Sequence, residues 1–402
     1  MPTVLFGISG SIAAFKGLEV MRLLVADGDI VVPVLSKGGA EFVTRASVEA
    51  LAGRAAITEI FPKEAHPEIE HIILAREADL LVTCPATADI LAKYAVGLAD
   101  DPLALVALAF GTPHLIAPAM NHRMWENPAT LANVATLMDR GCVFVGPEKG
   151  VMACGEEGWG RLAPVEEIYG HIRALLGRGG PLSGFRVVVT AGATREPLDD
   201  VRFFSNRSSG RMGHALAEAA RDMGADVTLV TASEMPAPVA VNVRRVTTAS
   251  EMREAVLGEC EQADAVIMAA AVADFAPSER ARGKIKKEDG PPAIKLEHTP
   301  DILLELGAGK RQGQVLVGFA AEYGSGGKAE ALRKCREKAC DFMCLNDISR
   351  TDVGFGAGEN EIVIVFLDGR ERVIPRGAKL QVARGIMEEV ARAIESRAQS
   401  SD

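Results

Sequence analysis

Pro118-Ala-Met-Asn121 and Met152-Ala-Cys154-Gly-Glu-Glu-Gly-Trp-Gly-Arg161 hold the groups best equipped for chemistry in the first half of the chain. Each follows an apolar, strand-like run, Leu115-Ile-Ala117 and Val143-Phe-Val145. Loops in that position carry the ligand contacts of open α/β sheets. Cys154 places a thiol among Gly155, Gly158 and Gly160, the pattern of a proton donor on a movable flap that closes over substrate and excludes water. A cysteine is also often a small buried hydrophobe, and glycine clusters also make plain turns, so the residues alone leave both readings open. Asn121 offers a loop amide. His71, in Glu70-His-Ile-Ile-Leu74, offers an imidazole that beside an apolar run is often structural.

Other segments suit anions. Gly7-Ile-Ser9-Gly10-Ser11 lies between a strand-like and a helix-like segment. Glycines allow close backbone approach there, and amides at the positive helix end can hold a phosphate beside the Ser9 and Ser11 hydroxyls. The spacing is not G-x-G-x-x-G, so a mononucleotide fits better than a dinucleotide; a tight turn is the bland alternative. Thr87, in Pro85-Ala-Thr-Ala-Asp89, and Ser36, at the end of the second strand, can add hydroxyls to the same phosphate or to a neighbouring ring.

In the second half, Thr190-Ala-Gly-Ala-Thr-Arg195-Glu-Pro-Leu-Asp199 follows a strand, and Phe203-Phe-Ser-Asn206-Arg-Ser-Ser-Gly210-Arg-Met-Gly213 opens a helix. The latter gathers amides, hydroxyls, Arg207 and Arg211 at a helix N-terminus; a capped helix with solvated arginines is the alternative. Ala269-Ala-Ala-Val-Ala-Asp274 lets a ligand approach a strand end. Arg280, Arg282, Lys284, Lys286 and Lys287 then crowd a stretch that Pro277, Gly283 and Gly290 keep from being helical. Such a run reads as a solvated surface or as a lid over phosphates. Lys334 and Lys338, four apart, share a helix face. No Walker A pattern occurs, which excludes a P-loop kinase.

The elements that must position these groups alternate between apolar β-rich runs and helix-period segments. Strands are expected at 4–8, 30–35, 80–83, 114–117 and 143–146, with a helix at 165–176 closing a first unit. Gly177-Arg-Gly-Gly-Pro181 is the best linker signal. The alternation restarts with strands at 185–190, 226–230, 265–268, 315–319 and 342–344 and a helix at 213–223. A hairpin over 361–374 and a helix over 380–397 follow. The expected fold class is α/β: two tandem Rossmann-like/flavodoxin-like doubly wound parallel sheets, divided into 1–180 and 181–402.

Composition sets limits. The chain has 402 residues, 48% of them apolar, and a net charge of −10; a pI near 5.4 argues against general nucleic-acid binding. No apolar run is long enough to span a bilayer, so no membrane partner is expected. Seven dispersed cysteines form no CxxC pair or zinc spacing, and Met-Pro-Thr-Val-Leu-Phe shows no basic segment before its apolar run. Both features lead us to expect reduced thiols and a cytoplasmic location.

In order, Ser9-Gly-Ser-Ile-Ala13, His71, Pro85-Ala-Thr-Ala88, Pro118-Ala-Met-Asn121 and Ala153-Cys-Gly155 resemble the homo-oligomeric flavin-containing cysteine decarboxylases, and within them phosphopantothenoylcysteine decarboxylase. The resemblance implies that Gly10, Ser11, Ser36 and Thr87 contact FMN. It also implies that His71 and Asn121 engage substrate, Asn121 at the carboxylate, and that Cys154 donates a proton. It implies units that are trimeric or larger, with sites between subunits. The chain departs from that pattern at Asp101-Pro102, where relatives often have Asn and Leu.

The second half, from about residue 185 through Asn346-Asp347, resembles phosphopantothenate–cysteine ligase of the bacterial, CTP-using type. The runs that carry this are Thr-Ala-Gly-x-Thr-Arg-Glu-Pro, Ser-Asn-x-Ser-Ser-Gly-x-Met-Gly, Ala-Ala-Val-Ala-Asp, Lys284-Ile-Lys-Lys287, Thr299-Pro-Asp-Ile302 and Gly318-Phe-Ala-Ala-Glu322. The resemblance places CTP against Ala270, Ala271, Asp274, Pro300, Asp301, Ile302, Leu303, Phe319, Lys334 and Lys338. Lys284 would stabilise charge at the α-phosphate with Mg²⁺ on the triphosphate, and Asn206 would handle the acyl-cytidylate through its acyl oxygens. No Mg²⁺ ligand is assigned.

Together the halves resemble bifunctional enzymes of coenzyme A biosynthesis. The expected substrates are 4′-phosphopantothenate, L-cysteine and CTP, and the expected assembly is a homo-oligomer of twelve chains built from trimeric N-terminal and dimeric C-terminal units. A peptidyl-cysteine decarboxylase is disfavoured by the ligase-like half. A non-catalytic flavin-binding module is disfavoured by the joint presence of His71, Asn121 and Cys154.

Overall fold

The computed structural model describes residues 1–60, 70–111, 113–151, 155–286, 288, 293–322, 326–347 and 359–398, without the side chains of residues 70, 71, 347 and 398. Cys154, Lys287 and Gly290 lie outside the described residues, as does the His71 side chain. The backbone forms two compact units, Met1–Leu176 and Gly177–Asp402.

The first unit runs β1 (Thr3–Ile8), α1 (Ala14–Ala26), β2 (Ile30–Leu35), α2 (Arg45–Ala52), α3 (Glu70–Glu77), β3 (Leu80–Ala86), α4 (Ala88–Val96) and α5 (Pro102–Ala109). It continues with β4 (His114–Pro118), α6 (His122–Trp125), α7 (Pro128–Asp139), β5 (Val143–Phe144), β6 (Glu148–Val151), β7 (Glu157–Arg161) and α8 (Val165–Leu176). Five parallel strands take the order β2-β1-β3-β4-β5. Helices cover both faces, so β3 is buried at every position, which is why it reads as an unbroken apolar run. Side-chain alternation splits its core in two: Val4, Phe6 and Ile8 pack on one face, Leu5 and Leu81 on the other.

Local signals fix the element ends. Thr87 caps α4 by accepting the Ile90 N–H, and Gly97 ends that helix in the left-handed conformation. Asp101 caps α5 through the Leu103 N–H, with Pro102 at the first helical position.

The second unit runs β8 (Arg186–Ala191), β9 (Arg195–Pro197), β10 (Phe203–Ser205), α9 (Arg211–Asp222), β11 (Asp226–Thr231), β12 (Asn242–Arg245), α10 (Ala249–Cys260), β13 (Ala265–Met268) and β14 (Phe275–Pro277). After these come β15 (Leu296–His298), α11 (Ile302–Ala308), β16 (Val315–Glu322), α12 (Gly327–Glu337), β17 (Phe342–Asp347), β18 (Glu359–Phe366), β19 (Glu371–Ala378) and α13 (Lys379–Ala398). Its sheet has the order β12-β11-β8-β13-β16-β17-β18-β19. The first six strands are parallel and the last two antiparallel.

Both sheets are thus doubly wound. In the first, strand order reverses between β1 and β3; in the second, between β8 and β13. Ligands of open α/β sheets bind beyond the strand ends at such reversals. The structure also contains small antiparallel pairs absent from the sequence expectation: β6 with β7, β9 with β10, and β14 with β15.

Candidate functional site

At the first reversal, the ends of β1, β2 and β3 bring Gly10, Ser11, Ser36 and Thr87 to one edge of the sheet. No side chain caps α1, but the Ala14 N–H is taken by the Ser11 carbonyl at 2.9 Å and the Ala13 N–H by Ser11 Oγ at 3.4 Å. An anion here would be met by the positive helix end and the loop beside it. The neighbouring loops meet backbone to backbone: a Cβ on Gly10 would lie 3.1 Å from Gly38, and one on Gly39 only 2.2 Å from the Ile8 carbonyl. This side-chain-free cradle at a helix start fits the phosphate of FMN.

The hydroxyls divide their labour. Ser36 Oγ accepts the Gly39 N–H at 2.8 Å, which leaves its own proton to donate. Ser9, offered by the sequence as a phosphate ligand, is buried. It donates to the Pro85 carbonyl at 2.8 Å and accepts the Thr87 N–H at 2.9 Å. Its hydroxyl therefore ties β1 to β3. Asp101, the departure from the family pattern, is buried and accepts the Lys37 N–H at 2.8 Å. It steadies the turn after Ser36 while capping α5.

The glycine-rich segment expected as a flap, whose residues 152–154 (Cys154 among them) lie outside the described residues, holds the antiparallel pair β6–β7. Its second strand packs on the Asn121 segment: the Met120 N–H donates to the Gly160 carbonyl at 3.0 Å. A Cβ on Gly160 would stand 2.1 Å from the Met120 carbonyl, and one on Gly158 2.6 Å from His122. Glu156 adds a side-chain anchor, accepting from Asn121 Nδ2 at 3.0 Å and lying 3.5 Å from His122 Nδ1. The described part of the hairpin, Glu156, Gly158 and Gly160, thus packs on the Asn121 segment. His71 falls in α3.

In the second unit a cavity of about 670 Å³ opens at the reversal between β8 and β13. Its lining includes Asn206, Ala270, Ala271, Asp274, Pro300, Asp301, Ile302, Leu303, Phe319, Lys334 and Lys338. Every residue expected to contact CTP is there except Lys284, which sits on an exposed loop. Gly210, left-handed at φ 80, starts α9 with no side-chain cap, so backbone amides beside Arg211 face this space.

The Ala269–Asp274 wall is held by threonines. Thr190 Oγ1 accepts the Ala270 N–H at 3.0 Å, and Thr194 Oγ1 accepts the Ala273 N–H at 2.9 Å. The Thr299 hydroxyl donates to the Ala273 carbonyl. Asn206 Nδ2 donates to the Val272 carbonyl at 3.1 Å and the Ala271 carbonyl at 3.4 Å. In this arrangement the Asn206 amide presents an acceptor, Oδ1, so a contact from Nδ2 to an acyl oxygen requires that it release these carbonyls.

Charge in the cavity is balanced by pairing. Lys338 Nζ lies 2.9 Å from Asp301 and Lys334 Nζ 2.5 Å from Glu322. Burial alone raises the Asp301 carboxyl, but the Lys338 bond and α11 amides bring it below its ordinary value. Lys379, at the start of α13, lines the cavity and carries no sequence signal. Burial, then the Arg211 guanidinium, push its ammonium below the usual lysine range. Two cations drawn toward one space suit a polyanion. Asn360 lines the cavity too and likewise carries no signal of its own; Asn346, at the end of the ligase-like match, also lines it.

Among the described residues, no group of three His, Cys, Asp or Glu is placed to hold a metal, and no helix is long and apolar enough to cross a membrane. Six described cysteines are free.

Residues 1–177 match the family described as Flavoprotein, and 182–394 match the DNA/pantothenate metabolism flavoprotein C-terminal domain. The first unit is thus of a flavoprotein class. The coenzyme A biosynthesis bifunctional protein CoaBC of Bacillus subtilis (strain 168) is 40% identical over 393 residues, covering 96% of each chain. A crystal structure of the C-terminal domain of such a CoaBC protein is 36% identical, covers 54% of this chain and 99% of that one, and has a TM-score of 0.47. A mutant PPC decarboxylase complexed with pantothenoylaminoethenethiol is 32% identical over 43% of this chain and 96% of its own, with a TM-score of 0.39. The chain belongs to the family of bifunctional coenzyme A biosynthesis proteins.

Proposed function

We propose that the unit spanning 181–402 joins 4′-phosphopantothenate to L-cysteine at the expense of CTP, and that the unit spanning 1–180 decarboxylates the product to 4′-phosphopantetheine. The observation that carries this reading is the convergence of Ala270, Asp274, Pro300, Phe319, Lys334 and Lys338, from separate chain segments, on one cavity at a sheet reversal.

In the ligase reaction the pantothenate carboxylate attacks the α-phosphate of CTP and pyrophosphate leaves. The cysteine amine then displaces CMP to form the amide. The Ala270–Ala271 wall and the Pro300–Leu303 turn receive the nucleotide, while Lys334 and Lys338 supply positive charge. Lys284 stabilises charge at the α-phosphate, with Mg²⁺ brought by the triphosphate. Asn206 handles the acyl-cytidylate at the amine step.

In the decarboxylase reaction Gly10, Ser11, Ser36 and Thr87 hold FMN. FMN, when bound, supplies the reversible two-electron oxidation of the cysteine thiol that gives the electrons left by departing CO₂ somewhere to go. Asn121 holds the carboxylate, His71 manages the thiol proton, and Cys154 donates a proton to the carbon that lost CO₂. The β6–β7 hairpin excludes water from that step.

The working assembly in this reading is twelve chains in the cytoplasm, trimeric N-terminal units joined by dimeric C-terminal ones. Exposed apolar side chains support such contacts, among them Ile12 and Phe15 in the first unit and Phe203 and Phe275 in the second.

The test is to incubate the protein with 4′-phosphopantothenate, L-cysteine and each nucleoside triphosphate in turn, and to identify products by mass. CTP should yield pyrophosphate, CMP and a thiol product lighter by one CO₂. The proposal fails if no nucleotide yields pyrophosphate, or if the protein stays free of flavin absorbance after FMN is added.

A further inference from the structure

Lys284 is the one expected nucleotide contact outside the cavity lining, and its side chain is exposed. The backbone on either side of it is nevertheless fixed. The Asp199 carboxylate is fully buried and accepts four donors. Oδ1 takes the Val201 N–H at 2.8 Å and the Arg202 N–H at 2.7 Å. Oδ2 takes Arg202 Nε at 2.9 Å and, 86 residues away, the Ile285 N–H at 3.1 Å.

Asp200 grips the other side of Lys284: its Oδ2 accepts the Gly283 N–H at 2.9 Å, and its Oδ1 accepts from Arg280 at 2.9 Å. Arg202 completes the bracket by donating to the Ile285 carbonyl at 2.6 Å. The backbones also join, with the Ala281 N–H donating to the Leu198 carbonyl at 3.0 Å.

We propose that Asp199 is a positioning residue for nucleotide activation: it holds the peptide following Lys284 so that the lysine meets the α-phosphate in a set orientation. The proposal rests on the role of Lys284 proposed above. Its physical basis is entropy. Fixing a residue of backbone and fixing a lysine stem each cost conformational entropy. A loop anchored before substrate arrives has met the first of these costs in folding. The Val201 and Arg202 bonds alone would serve the local turn before β10. The bond to Ile285 contributes nothing to that turn and acts only on the Lys284 loop.

The experiment is a double-mutant cycle on the full-length protein, following pyrophosphate release with CTP and 4′-phosphopantothenate. Asp199→Asn should lower kcat by about 10- to 100-fold, the scale of a misplaced catalytic group. KM for CTP should hold, because the cavity residues lie on other segments. In a Lys284→Gln background the same substitution should have no further effect. Additive losses in the double mutant would overturn the proposal, since Asp199 would then act on the unit generally. A Lys284→Gln enzyme of undiminished rate would overturn the reading of Lys284, and the proposal with it. Should Asp199→Asn fail to fold, judged by loss of CTP binding, the exposed Asp200→Asn gives the same cycle through Gly283, and the same additivity would overturn the proposal.

Discussion

The Ser9 hydroxyl and the backbone N–H of Thr87 lie 2.9 Å apart across 78 residues of sequence. Ser9 turns its own proton to the Pro85 carbonyl, so one buried side chain closes β1 onto β3 at the reversal of the first sheet. The hydroxyl that sequence reasoning offers to a phosphate is a structural tie beneath the site.

Ser9→Ala should therefore act on flavin retention without touching flavin. It strands the part-buried Thr87 N–H, while the Pro85 carbonyl keeps the Ser9 N–H at 3.2 Å, a loss of about 1–3 kcal/mol. Flavin should leave the variant roughly tenfold more readily, read as fluorescence released on dialysis. CTP-dependent pyrophosphate release should be unchanged.

Gly160→Ala tests the hairpin seating. The added Cβ would meet the Met120 carbonyl at 2.1 Å at a residue whose φ is +145°, and backbone cannot yield as a flexible side chain does. Release of CO₂ from 4′-phosphopantothenoylcysteine should fall by about tenfold or more, again with the ligase reaction intact.

His114 provides a pH signature. It is buried against Tyr94 and hydrogen-bonded to Thr83 Oγ1 at 2.9 Å, and burial pushes its pKa down from 6.5 to about 3. The unfolded chain binds the proton first, so stability is full above about pH 6.5 and is lost as pH falls toward 3, by up to about 1.4 kcal/mol per pH unit. His114→Gln should flatten urea midpoints across that window. An unchanged slope would show that other groups set the acid limb.

Thr194→Val keeps the side-chain shape but removes the acceptor of the Ala273 N–H. A buried donor left unmet costs about 1–3 kcal/mol. The wall should shift and KM for CTP should rise about tenfold, while CO₂ release from supplied substrate stays the same.

Much of the fold is legible in the chain because parallel strands buried on both faces leave unbroken apolar runs. Residues 265–268 coincide with β13 as expected, and 165–176 with α8. The three-residue strands β9, β10, β14 and β15 escape because so short a span carries no period; Phe203, Phe204 and Ser205 are all exposed. Side-chain roles are harder to read where the partner is distant. Thr190 and Thr194 sit in a recognisable motif, yet their work is done on backbone about 80 residues away. Lys379 belongs to no motif at all and enters the cavity only because α13 begins there.

One stretch of the cavity lining is mostly alanine: Ala269, Ala270, Ala271 and Ala273, with Ala320 and Ala321 lining the same cavity. Discrimination there rests with peptide groups and with room, since the methyls have no chemistry to offer. Mutational drift along this surface is therefore one-directional. Nearly every replacement adds volume, so single steps can tighten the cavity against larger ligands but scarcely enlarge it to admit them.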